Sequence, residues 1–73
     1  MTKWKVIVKP ENGEPLMNMK FETEEDADGC IAGIRSNQAE LFSKTTANLL
    51  IISKQAQFQD EWVEAFRDSI FRP

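Results

Sequence analysis

Asn12-Gly13 lies between two runs whose apolar residues alternate in opposite phase. That dipeptide suits a tight hairpin turn, and the flanking alternation supplies two matching faces. Folding about it sets Val8 opposite Met17, Val6 opposite Met19 and Trp4 opposite Phe21. Every facing pair is then apolar, whereas a slip of one residue would turn each of these side chains to the other face. The opposite face carries Lys3, Lys5, Lys9 and Lys20. The first strand is expected over Lys3 to Lys9 and the second over Leu16 to Glu22. Pro10 and Pro15 bound the connection, because a proline donates no ladder hydrogen bond.

Thr23 reads as a helix N-cap, with Asp26 at the capping-box position. Glu24, Glu25 and Asp26 fill the first turn, where the helix dipole favours negative charge. Ala27, Cys30, Ile31 and Ile34 then recur at helical spacing, and the helix should end near Ser36-Asn37. Within Gln38 to Lys44, Leu41 and Phe42 suggest a short packed turn. Ala47 to Ser53 is the expected third strand, although Leu49-Leu50-Ile51-Ile52 is apolar on both phases. Phe58, Trp62, Ala65, Phe66 and Ile70 form a stripe that predicts a last helix from about Phe58 to Phe71.

The expected class is α+β, in the order ββαβα. A three-stranded, mainly antiparallel sheet built on the N-terminal hairpin carries two helices on one face. The third strand is placed beside the first, giving the order 2-1-3. The connection into that strand is a crossover, which should be right-handed. At 73 residues the chain is one domain, 1–73. A chain this short buries only about 60% of its unfolded surface.

Composition narrows the function. A net charge of −3 removes the usual electrostatic footprint of a duplex binder. One cysteine rules out an internal disulfide and fits a reducing compartment. No apolar run approaches the roughly 20 residues of a membrane span, and no apolar leader follows Met1. The expected location is cytoplasmic, with no membrane partner.

The chain has no histidine and no tyrosine, which takes away the commonest general base and the commonest metal ligand. Cys30 lacks an activating imidazole and falls on an apolar stripe, where an inert buried thiol is expected. Glu24 to Gly29 partly follows a calcium loop, but Arg35 stands where the bidentate glutamate is required. The acidic run is better read as helix-start charge. No catalytic residue, metal site or cofactor site is therefore expected, and the chain is not read as an enzyme. Gly29 and Gly33 form a GxxxG on the first helix, compatible with close packing or with a tolerated surface pair.

Two surfaces remain. With one phase of the third strand under the helices, the other must face outward. Either Leu49 with Ile51, or Leu50 with Ile52, joins Ile7 and Leu16 on that open sheet face. The docking contacts are assigned to Ile7, Leu16, Leu50 and Ile52, with Phe71, opposite the stripe of the last helix, as a second anchor. A contiguous apolar patch on a small domain marks an interface. The leading expectation is thus a non-catalytic protein-interaction module: a regulator, adaptor or inhibitor that binds a protein partner, a second copy of itself included. The alternative is a nucleic-acid-binding module that sets Lys3, Lys5, Lys9 and Lys20 against phosphates. Against it, lysines on an exposed strand face commonly serve only to deter edge-to-edge aggregation.

Overall fold

The computed structural model describes residues 2–73. The chain runs β1 (Trp4–Pro10), β2 (Met17–Phe21), α1 (Glu24–Ser36), α2 (Gln38–Phe42), β3 (Leu49–Phe58) and β4 (Glu61–Phe71). The strands form one antiparallel sheet in the order β2-β1-β3-β4. The class is α+β.

The N-terminal register is the one the alternation specifies: Trp4 pairs with Phe21, Val6 with Met19 and Val8 with Met17. Lys5 consequently stands opposite Lys20. Asn12-Gly13 does not form a tight two-residue turn. No glycine among the described residues has a positive φ, and pairing ends at Val8–Met17, with the Leu16 N–H donating to the Val8 carbonyl at 2.8 Å. Hydrophobic matching across the strands therefore carries the register without help from the turn.

Thr23 caps α1 as expected, its hydroxyl oxygen accepting from the Asp26 N–H at 3.1 Å. The helix buries Ala27, Ile31 and Ile34 against Val6 and Val8 of β1, Leu50 and Ile52 of β3, and Ile70 of β4. Phe42 of α2 closes this core. The two helical glycines meet nothing: a Cβ at Gly29 or Gly33 would have no neighbour within 4 Å, so the GxxxG packs no partner element within the chain.

The final element corrects the expectation of a C-terminal helix. Phe58 to Phe71 is the turn and second strand of a hairpin. The second helix is instead the short α2. A bulge explains the misreading. Lys54 pairs with Phe66 but Gln55 with Glu64, so Ala65 is an extra residue. On the C-terminal side Phe66, Asp68 and Ile70 share the helix-covered face; on the other side that face holds Val63. The bulge shifts the period-2 pattern by one, and the broken alternation imitates a helical stripe.

The hairpin turn also carries an unusual sequence. Gln59 and Asp60 link Phe58 to Glu61, and both have positive φ, 50° and 66°. This is the geometry of a type I′ turn, normally filled by Asn-Gly. The left-handed region costs most L-residues about 1–2 kcal/mol, part of which glycine gives back as unfolded-state entropy. Replacing Gln59-Asp60 by Asn-Gly should stabilise the fold by about 1 kcal/mol. In a domain this small that corresponds to a rise in Tm of roughly 4–8 °C, measurable by thermal unfolding.

Candidate docking surface

The face away from the helices follows from the strand registers. Lys5, Ile7 and Lys9 of β1 lie beside Gln55, Ser53 and Ile51 of β3, which in turn face Glu64, Arg67 and Ser69 of β4. Leu49 pairs with Phe71 and Gln57 with Trp62 on the same face. Ile7 is therefore on the open face as expected. Phe71, expected as a separate anchor on the outer side of a last helix, lies on this same sheet face because its segment is a strand, with 69% of its surface exposed.

Leu50 and Ile52 are not on it. Ile52 pairs with Val8 and Leu50 with Pro10, which turns both under α1, and both are 0% exposed. The outward phase of β3 is Leu49 and Ile51, each half-buried. Leu16 also leaves the proposed patch: it precedes β2 and packs against the core. The chain does hold a signal for the phase. Beyond Ile52 the strand continues Ser53, Gln55, Gln57 on one side and Lys54, Ala56, Phe58 on the other. The polar series marks the open face, but it is visible only if the strand is carried past Ser53.

The open face is held by polar contacts. Ser53 is buried and donates its hydroxyl to Glu64 at 2.8 Å, while Arg67 Nε reaches the same carboxylate oxygen at 3.0 Å. The Ser53 hydroxyl, followed by Arg67, holds the Glu64 carboxyl below the usual carboxylate range. Ile7, Lys9, Pro15 and Ile51 surround this network in a shallow depression of about 180 Å³.

Three of the four lysines gather here. Lys5 and Lys20 face each other, and Lys9 lines the depression. Lys3 pairs loosely with Glu22 at 3.9 Å. An aromatic joins them: the Lys5 ammonium lies 4.4 Å from the centre of the Trp62 ring. Sequence reasoning missed Trp62 because it placed residues 58–71 in a helix.

The opposite side of the β3–β4 hairpin carries a second exposed apolar group. α1 packs closest on β1 and β2 and leaves β4 thinly covered. Phe58, Val63 and Phe66 share the helix side there, with 64%, 51% and 39% of their surfaces exposed. Two ionic contacts tie this region to α1. Arg35 binds Asp68, whose carboxyl is held low first by the Ser69 backbone N–H and then by Arg35. Lys54, buried between the rings of Trp4 and Phe66, reaches Asp28 at 2.7 Å and Glu24 at 2.9 Å. The acidic run that partly imitates a calcium loop is thus helical, and two of its carboxylates are ligands for an ammonium.

A separate groove of about 430 Å³ runs between β2 and the helices, lined by Met17, Met19, Phe21, Ile34, Leu41 and the open flank of Gly33. Cys30 borders it, and burial pushes its thiol up, away from the reactive thiolate. No group of three or more potential metal ligands comes together among the described residues. No helix there is long and apolar enough to cross a membrane. No family model, curated protein or solved structure matches the chain.

Hydrogen bonds from Lys54 to Asp28, then to Glu24, raise the Lys54 pKa above its ordinary value of 10.5. A raised folded-state value means that the stabilisation is complete below the unfolded pKa and is lost as pH climbs through the folded one. Lys54→Met keeps the buried stem and deletes the charge. The stability difference between wild type and this variant should therefore shrink on going from pH 9 into the strongly alkaline range, as followed by denaturant unfolding. Parallel profiles would show that the cluster contributes nothing.

Proposed function

We propose that this chain is a non-catalytic protein-interaction module, a regulator, adaptor or inhibitor acting in a reducing, cytoplasmic setting, and that it docks its partner through the β3–β4 hairpin. One observation carries the reading. Four of the five large apolar side chains exposed among the described residues, Phe58, Val63, Phe66 and Phe71, sit on this single ribbon. Isolated surface apolar residues are ordinary, but Phe58, Val63 and Phe66 group on one side of the ribbon, and a grouped apolar surface on a small domain is characteristic of an interface. Aromatic anchors with a polar rim are also how protein interfaces concentrate their binding energy. Here Phe58 and Phe66 are the anchors on the helix side of the ribbon, with Glu61 beside them, and Phe71 is the anchor on its open face, where Lys9 and Arg67 supply the rim. Ile7 and Ile51 extend the apolar surface across the open face.

A photo-crosslinking residue at Phe58 or Phe71, in the full chain expressed in its host, should give a discrete adduct on irradiation. The same residue at Glu14, on the far loop, should not. Smears or no adduct at either hairpin position would remove the proposal, and the adduct mass separates a second copy from another protein.

One specific observation favours the second reading. Trp62 stacked with Lys5, next to Lys20, offers both a base-stacking surface and phosphate contacts, the combination used for single strands. The acidic net charge and the presence of Glu64 on the same face keep it second. It requires that oligo-dT change Trp62 fluorescence, with an affinity that falls steeply with salt and is lost in Lys5→Glu. A flat titration at low salt removes it.

A further inference from the structure

β4 is an edge strand of eleven residues, more than twice the length of the other edge, β2. Its outer row of N–H and C=O groups has no partner strand, and exposed apolar residues lie on both of its faces. A long apolar edge of this kind invites another strand. Resting on the reading of the hairpin as the docking surface, we propose that the occupant is a second copy of this chain. Its β4 pairs antiparallel with β4 about a two-fold axis passing between Ala65 and Phe66.

The sequence of β4 is self-complementary in that register. Because of the bulge, residues 62 and 64 share the open face with 67, 69 and 71, while 63 shares the helix side with 66, 68 and 70. Centring the axis on the bulge keeps both faces matched along the whole strand. Glu64 then stands opposite Arg67 of the second copy, and this pair occurs twice, once on each side of the axis. Trp62 stands opposite Ser69, and Val63 opposite Asp68. No like charges are opposed anywhere along the strand, in contrast to Lys5 and Lys20 inside the monomer. Directly opposed charges of unlike sign favour an antiparallel pair, and like ones disfavour it. On the helix side, the two copies of Phe66 flank the axis and cover one another. The contact is isologous and closes on itself, so the edge is used up without forming a fibre.

Native mass spectrometry and light scattering of the full chain test this. The wild type should have twice the chain mass. E64R places arginines opposite each other, and R67E places glutamates opposite each other, so each variant alone should be monomeric while remaining folded by circular dichroism. Mixing the two should restore a dimer of one chain of each kind, because every opposed pair is again of unlike sign. A wild type that stays monomeric at millimolar concentration overturns the self-pairing. So do single variants that remain dimeric, or folded variants that fail to combine. If a single variant unfolds, E64R/R67E decides instead: it restores unlike charges within and between chains and must dimerise, and a monomer overturns the proposal. A monomeric wild type that still gives hairpin crosslinks to another protein would leave the docking surface standing and remove only the second copy as its occupant.

Discussion

β1 is bordered by strands on both sides, and the burial of Val6 and Val8 decides how those neighbours align. Each valine is fully buried and belongs to two pairings at once, Val8 with Met17 and with Ile52, Val6 with Met19 and with Lys54. Because side chains alternate along a strand, fixing these two residues under α1 fixes the facing direction of every residue in β2 and β3. The same alternation puts Lys5, Ile7 and Lys9 on the opposite side. The position of Leu49, Ile51 and Phe71 on the open face, and of Leu50, Ile52 and Ile70 beneath the helices, follows from this central strand.

Lys54 is the exception to that apolar scheme. It occupies a core-side position of β3 where an aliphatic residue would be expected, and its ammonium emerges between two aromatic rings to meet two carboxylates of α1. Long side chains of this kind bury their stems and keep their charge at the margin. With Arg35–Asp68, the contact joins the helix to the half of the sheet that it does not cover by backbone packing. The hairpin thus stays attached to the core while its apolar residues remain exposed.

The front half of the fold was legible in the letters because each local signal agreed with the others. Alternation set the β1–β2 register, Thr23 and its acidic neighbours set the start of α1, and the stripe from Ala27 to Ile34 set its buried face. The adjacency of the third strand to the first was also readable. The rear half misled for two definite reasons. Gln59-Asp60 does not look like a type I′ turn, and the extra residue at Ala65 broke the alternation that would have revealed β4. Reading 58–71 as a helix hid Trp62 from the lysine face. Stopping the third strand at Ser53 removed the polar series that would have shown Leu49 and Ile51 facing out. Of the residues assigned to docking, Ile7 and Phe71 lie on the open face, while Leu16, Leu50 and Ile52 belong with the core.

The bulge at Ala65 makes the spacing of β4 as constrained as its composition is free. Removing that one residue would join the two halves of the strand in a single unbroken alternation. Either Phe66, Asp68 and Ile70 or the residues before them would then be turned inside out. Ile70 would leave its place beneath the helices, or Trp62 would leave the side of Lys5. Although nearly all of β4 is open to solvent, drift in this segment should proceed by exchange of side chains and not by loss or gain of codons.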